Sequence, residues 1–147
     1  MNKTSKRVIV LAAALAFVAG TACTADPGQH DLGERQVRDA LAAAGYTDID
    51  DVEFDDGMWQ AEARREDGRR IDLRLDARTG GIYPEDGTTA LSIADIKASL
   101  TAAGYGRGHD IRFDDGLWQA DAFDSDGVEW ELYLDPGNAA LVGRERD

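Results

Sequence analysis

The order of apolar and polar residues predicts two amphipathic helices, one near the start of each half of the chain. The apolar residues at helical spacing are Val37, Leu41 and Ala44, followed by Ile96, Leu100 and Ala103. Ser92, with Asp95 three residues later, is a typical start signal, because each side chain can bind the backbone N–H of the other residue. Asp31 and Glu34 are the corresponding pair in the first half.

After each helix, apolar residues alternate with polar ones, which predicts three half-buried strands. In the first half, the inward-facing residues are Val52, Phe54, Trp59, Ala61, Ala63, Ile71, Leu73 and Leu75. Asp56-Gly57 forms a two-residue turn if Phe54 lies opposite Trp59, and residues 66–68 form a three-residue loop if Ala63 lies opposite Ile71. Segments 81–83 and 140–143 are candidates for a short fourth strand in each half.

The two halves are copies of one unit, at an offset of 59 residues. Aligning Leu41 with Leu100 gives about 19 identities in roughly 40 positions, which indicates a structural repeat. The shared Gly45-Tyr46 and Gly104-Tyr105 are predicted to end the helices, with glycine in the left-handed conformation. The predicted fold class is therefore α+β, with tandem repeats at 32–86 and 91–147, each one helix packed on an antiparallel meander of three to four strands.

This order of helix, Gly-Tyr, Asp-Gly hairpin, tryptophan strand, second Asp-Gly hairpin and Leu-Asp resembles the PepSY domain family. The resemblance covers both repeats, although Asp135 to Ala139 departs from the pattern that ends in Thr79-Gly80 in the first copy. The family occurs in propeptides of secreted peptidases and in bacterial envelope proteins. The resemblance implies a role in inhibiting or regulating peptidases, and it implies no catalytic residue.

Residues 1–25 are predicted to be a signal peptide. Lys3, Lys6 and Arg7 precede an apolar run of about a dozen residues, which is too short to span a bilayer. Cleavage before Cys23 would make that residue a lipidation site, whereas cleavage after Ala25 would release the protein, and both interpretations remain open. Residues 26–31 then form a flexible tether, and the mature protein is expected to be extracytoplasmic, either periplasmic, secreted or lipid-anchored.

The net charge excludes one class of partner. The whole chain carries a formal charge of −13, and loss of the three leader cations brings it to −16. Such a protein repels nucleic acid and anionic membranes, because phosphate binding requires the opposite sign. No nucleic-acid partner is expected, and contact with a membrane is expected only through a lipid anchor at Cys23.

No residue set in the sequence favours catalysis, and no cofactor is predicted. A nucleophile needs an adjacent, oriented base. His30 falls in the tether and His109 in a glycine-rich link, while Ser92 and Ser125 are assigned to a cap and a turn. The protein is therefore predicted not to be an enzyme.

One loop is a weak candidate for a metal site. Asp124, Asp126 and Glu129 place three carboxylates around the second hairpin of the second repeat, and calcium prefers several oxygen ligands. The spacing is much shorter than that of an EF-hand loop, so turn formation is the favoured role of these residues.

The outward strand faces differ most between the copies. At equivalent positions the first copy has Arg64, Arg70 and Arg74, and the second has Phe123, Glu129 and Tyr133. Leu117, Phe123 and Tyr133 are therefore predicted to bind a partner, since a rimmed apolar surface often marks an interaction site. In the alternative, this face packs against the first repeat, with the arginines opposite Asp121, Glu129 and Glu131. Trp59, Trp118 and Trp130 are predicted to face the helices.

Taken together, these features predict a non-enzymatic protein-binding module. The expected partner is another envelope or extracellular protein, with a peptidase that the module inhibits or regulates as the specific hypothesis. The alternative is an extracytoplasmic sensor of a cation or small ligand that uses the acidic hairpin loops.

Overall fold

The computed structural model describes residues 32–146, and the predicted signal peptide, Cys23 and the whole of the predicted tether lie outside this range. The first repeat comprises α1 (Glu34–Ala43), β1 (Thr47–Asp55), β2 (Met58–Arg64), β3 (Arg70–Leu75) and β4 (Ile82–Pro84). The second comprises α2 (Ile93–Ala102), β5 (Gly106–Asp114), β6 (Leu117–Phe123), β7 (Glu129–Leu134) and β8 (Leu141–Arg146). Each repeat is one helix followed by a four-stranded antiparallel meander, as predicted.

The helix starts match the prediction in the second repeat and differ in the first. The Ser92 hydroxyl accepts the Asp95 N–H, and the Asp95 carboxylate accepts the Ser92 N–H at 2.7 Å. In the first repeat, Gly33 is the N-cap, and its N–H donates to the Gln36 side chain at 2.6 Å. The prediction of Asp31 and Glu34 as the pair is wrong, because Glu34 is the first helical residue; Asp31 lies outside the described range.

Both helices end as the Gly-Tyr pairs predict. Gly45 has φ 92° and Gly104 has φ 90°, and the N–H of the following tyrosine donates to the carbonyl of Leu41 or Leu100. The glycine N–H donates in turn to the carbonyl of Ala42 or Thr101. These two bonds form a Schellman motif, which satisfies carbonyls left free at a helix end. It also directs Tyr105 back onto the core of its repeat.

The hairpins confirm the register that alternation predicted. Phe54 lies opposite Trp59 and Ala63 opposite Ile71. The two-residue turns have positive φ at both positions, with 51° at Asp56 and 72° at Gly57, a geometry that suits the twist of antiparallel strands. β1 and β5 are longer than predicted, because two register shifts in each strand interrupt the alternation.

The turn before the fourth strand is built in the same way in both repeats. Its first residue, Asp76 or Asp135, accepts hydrogen bonds from backbone N–H groups of the turn. Gly80 occupies the left-handed position at φ 72°, and Ala139 takes the equivalent position at φ 58°. The second copy therefore has different residues from Pro136 to Ala139 and still forms the same turn as the first copy. β8 extends three residues beyond the predicted segment.

Each helix covers one face of its own sheet and forms a separate core. In the first repeat, Val37 and Leu41 pack on Trp59, Ala61 and the other inward strand residues. In the second repeat, Ile96 and Leu100 pack in the same way, with Trp118 buried and Trp130 packed against the cluster. The prediction that all three tryptophans face the helices is confirmed.

A third apolar cluster joins the two repeats. It contains Met58 from the first repeat and Leu117, Tyr133 and Val142 from the second, with Tyr83 packed against it. The hairpin tip of each repeat also touches the fourth strand of the other. A Cβ atom on Gly57 would lie 2.1 Å from the Arg144 carbonyl oxygen, and one on Gly116 would lie 2.0 Å from that of Pro84. The repeats therefore dock reciprocally through their turn glycines.

Candidate functional site

The outward face of β6 and β7 holds the three residues predicted to bind a partner. Two of them are buried and the third is partly exposed. Leu117 is 0% exposed and Tyr133 is 2% exposed, because both lie in the cluster between the repeats. Burial raises the pKa of the Tyr133 hydroxyl to about 12, with a further contribution from the charge of Glu131. These two side chains therefore present almost no surface to an external partner, which corresponds to the alternative interpretation of this face.

The arginines of the first repeat do not form the predicted ion pairs across the interface. Arg64 pairs with Asp48 at 2.9 Å, and Arg70 pairs with Asp50 at 2.6 Å, both within the first repeat. Arg74 alone of the three reaches the second repeat, where its guanidinium lies 5.0 Å from the centre of the Tyr133 ring. That part of the prediction is wrong, because β1 supplies nearer carboxylates than the second sheet does.

Phe123 is the predicted contact residue that stays partly accessible. It lies at the end of β6, away from the buried cluster. The Arg107 guanidinium is 4.0 Å from the centre of the Phe123 ring, and the His109 imidazole stacks on it at 6.0 Å with an angle of 11°. Together, Phe123, Arg107 and His109 form a stacked group that we call the Phe123 platform.

Arg107 and His109 were not predicted as site residues, and they lie in β5 and not in a glycine-rich link. Gly106 and Gly108 conceal the strand, and positive φ values at Arg107 and Asp110 disrupt its alternation. The offset of 59 residues could have identified His109 as a strand residue. It aligns His109 with Asp50, which lies on β1 opposite Glu62 of β2.

A cleft of about 260 Å³ opens beside the outer face of the first sheet. Its carboxylates come from Asp51, Glu53, Glu62, Asp72, Glu85 and Asp115. The Arg74 side chain also lines the cleft, and its buried Nη1 atom has no hydrogen-bond partner among the described residues. The six acids make this surface suited to a basic partner, because opposite charges attract at a docking interface.

The candidate calcium loop is organised around Asp124. One carboxylate oxygen accepts the N–H groups of Asp126 and Val128 at 2.9 Å, and the other accepts the Trp130 indole N–H at 2.8 Å. Glu129 turns away and lies 3.2 Å from the His109 imidazole. The loop therefore uses Asp124 as an internal acceptor, as the turn interpretation holds.

The bonds to Asp124 predict a specific pH dependence. Hydrogen bonds from the Trp130 indole and the Val128 backbone hold the pKa of Asp124 below its usual value of 3.8. A lowered pKa contributes stability above the pKa of the unfolded chain, and this contribution is lost as pH falls through the folded value. We expect Asp124→Asn to lower the free energy of unfolding at pH 7 and to flatten its decline below about pH 4.

Urea titrations at several pH values measure this effect, with the exposed Asp126→Asn as the matched control. The control should stay within about 0.5 kcal/mol of the parent at every pH. Equal losses in the two variants would contradict the assigned role of Asp124.

The fold defines the chain as a tandem of two α+β units that share one interface. A family model described as peptidase propeptide and YPEB domain matches it twice, over residues 6–86 and 83–145. The chain therefore belongs to this family, and the tandem arrangement predicted from the repeat is confirmed. Neither curated proteins nor solved structures gave a match.

Domains of this family are generally regulatory or propeptide-like and are typically extracytoplasmic. Among residues 32–146, no helix is both long enough and apolar enough to cross a membrane.

Proposed function

We propose that this protein is a non-enzymatic, extracytoplasmic binding module that regulates a peptidase, and that the Phe123 platform is its contact surface. Membership of the family supports the regulatory role. The position of Phe123 supports the contact surface, because this aromatic side chain remains partly accessible where Leu117 and Tyr133 are buried. Aromatic and arginine side chains are also the residues that most often dominate binding energy at interfaces.

The buried cluster between the repeats gives this surface a fixed support. Phe123 and Leu117 belong to the same strand, and Leu117 is packed against Met58 of the first repeat. A strand held in this way presents Phe123 without a further ordering step, and such preorganisation lowers the cost of binding. The acidic cleft beside the first sheet favours a partner that also carries basic residues.

The proposal predicts that Phe123→Ala weakens regulation of the target peptidase. Envelope and secreted fractions of the source cells would be assayed for hydrolysis of a fluorescent casein, with and without the purified protein. We expect the parent protein to change the rate and Phe123→Ala to weaken the effect at least about tenfold, as at other aromatic interface residues.

Phe54→Ala is the matched control, since Phe54 is the 40%-exposed aromatic residue of the first repeat. This variant should regulate as the parent does. An absence of any rate change with the parent protein, or equal effects of the two substitutions, would overturn the proposal.

A further inference from the structure

A cluster of metal-ligating side chains lies on the outward face of β5, β6 and β7. One ligand atom from each of His109, Asp110 and Asp121 falls within 4.8 Å of the others. The Glu129 carboxylate is 3.2 Å from the His109 Nε2 atom, and the Asp110 carboxylate is 4.0 Å from it. The imidazole is 46% exposed, so an ion from solvent reaches it directly.

The backbone supplies a carbonyl oxygen on the other side of the imidazole ring. The His109 Nδ1 atom lies 3.2 Å from the backbone carbonyl oxygen of Arg107, and a carbonyl oxygen only accepts hydrogen bonds. A proton on Nδ1 would donate to this carbonyl and leave Nε2 as the ring atom that faces the carboxylates. A histidine that binds a metal typically donates its other N–H to such a carbonyl.

In the first repeat, an arginine side chain neutralises the carboxylates at the equivalent positions. At the offset of 59 residues, His109, Asp121 and Glu129 align with Asp50, Glu62 and Arg70. The Arg70 guanidinium bridges the Asp50 and Glu62 carboxylates. The second repeat replaces this arginine with a further carboxylate.

The arginines near this cluster have other partners. Arg107 lies over the Phe123 ring, and Arg112 bonds to the Gln119 side chain and lies 3.7 Å from Glu131. The cluster on β5 to β7 therefore has three carboxylates around one imidazole.

We propose that His109, Asp110, Asp121 and Glu129 bind one divalent transition-metal ion, with Nε2 as the nitrogen ligand. One imidazole with carboxylate oxygens suits zinc and its neighbours in the transition series, whereas calcium takes six to eight oxygens. The excess of negative charge over the whole chain raises the local concentration of cations. The site differs from the hairpin loop suggested by the sequence, and shares Glu129 with it. It uses His109 of the Phe123 platform, and its test does not depend on the peptidase proposal.

Calorimetric titration of the purified protein with zinc chloride at pH 7.5 tests the proposal. We expect one equivalent to bind, and His109→Gln and Asp121→Asn each to weaken binding at least about tenfold, since even residues outside the ligand shell contribute 10- to 100-fold. His30→Gln and Asp50→Asn are the controls, because they remove the other histidine and the equivalent acid of the first repeat. Both should bind zinc as the parent does.

NMR of the imidazole resonances gives the second measurement. Zinc should shift the signals of His109 and leave those of His30 in place. A flat titration, binding that is lost with His30→Gln, or a His109 signal that responds to pH and not to zinc would overturn the proposal. In the last case, the cation between the imidazole and the carboxylates is a proton.

Discussion

Gly116→Ala, which replaces one hydrogen atom with a methyl group, should destabilise the protein by about 2–5 kcal/mol. Gly116 has φ 76°, a conformation that costs an alanine roughly 1–2 kcal/mol. The added Cβ would also lie 2.0 Å from the Pro84 carbonyl oxygen, so the two repeats would have to move apart. Overpacking of this kind costs about 1–3 kcal/mol more.

Gly127→Ala separates the two contributions. Gly127 has φ 79°, and a Cβ on it would meet nothing within 4 Å. This variant should therefore lose only the conformational part, roughly 1–2 kcal/mol. Urea denaturation followed by circular dichroism measures both variants. If they lose the same free energy of unfolding, the contact between Gly116 and Pro84 does not form in solution.

Leu117→Ala should lower the free energy of unfolding by about 2–5 kcal/mol. Leu117 is 0% exposed between the two sheets, so the truncation removes apolar contacts and leaves a cavity beside Met58 and Tyr133. A residue that served an external partner instead would tolerate the change in the isolated protein. Thermal and urea unfolding of the purified variant distinguish these roles.

Ile93→Ala is the control for Leu117→Ala. Ile93 is 49% exposed on the first turn of α2 and should change stability by no more than about 0.5 kcal/mol. A Leu117→Ala variant as stable as this control would mean that the sheets separate in solution. Leu117 and Tyr133 would then regain the role in partner binding that the sequence predicted for them.

The features predicted correctly depend on residues close together in the chain. Ser92 with Asp95 specifies a helix start, Gly104-Tyr105 a helix end, and Asp56-Gly57 a tight turn. Each of these sequence signals is no more than four residues long. Period-two alternation then specifies which strand residues face the helix, since a slip of one residue would expose the whole apolar set. Both copies of the repeat have the same helix end and the same tight turn, whereas the helix of the first copy starts differently, at Gly33 with Gln36.

The predictions that differed concern the outward faces of the sheets. Alternation shows that Leu117, Phe123 and Tyr133 point away from the helix, and it contains no information on what lies opposite them. The charge of Arg70 likewise indicates an ion pair and leaves its partner open. Its partners proved to be Glu62 on β2 and Asp50 on β1, because two register shifts in β1 bring its acids to the outward face.

By itself, the sequence determined two copies of a helix on an antiparallel meander, because caps, turns and alternation are local properties of the chain. Tertiary structure alone decided that the turn glycines dock on opposite fourth strands and that Leu117 and Tyr133 are buried. It also decided that His109 meets Asp121 and Glu129. These contacts join residues far apart in the chain, so they depend on the distances and packing of whole sheets, which no local pattern contains.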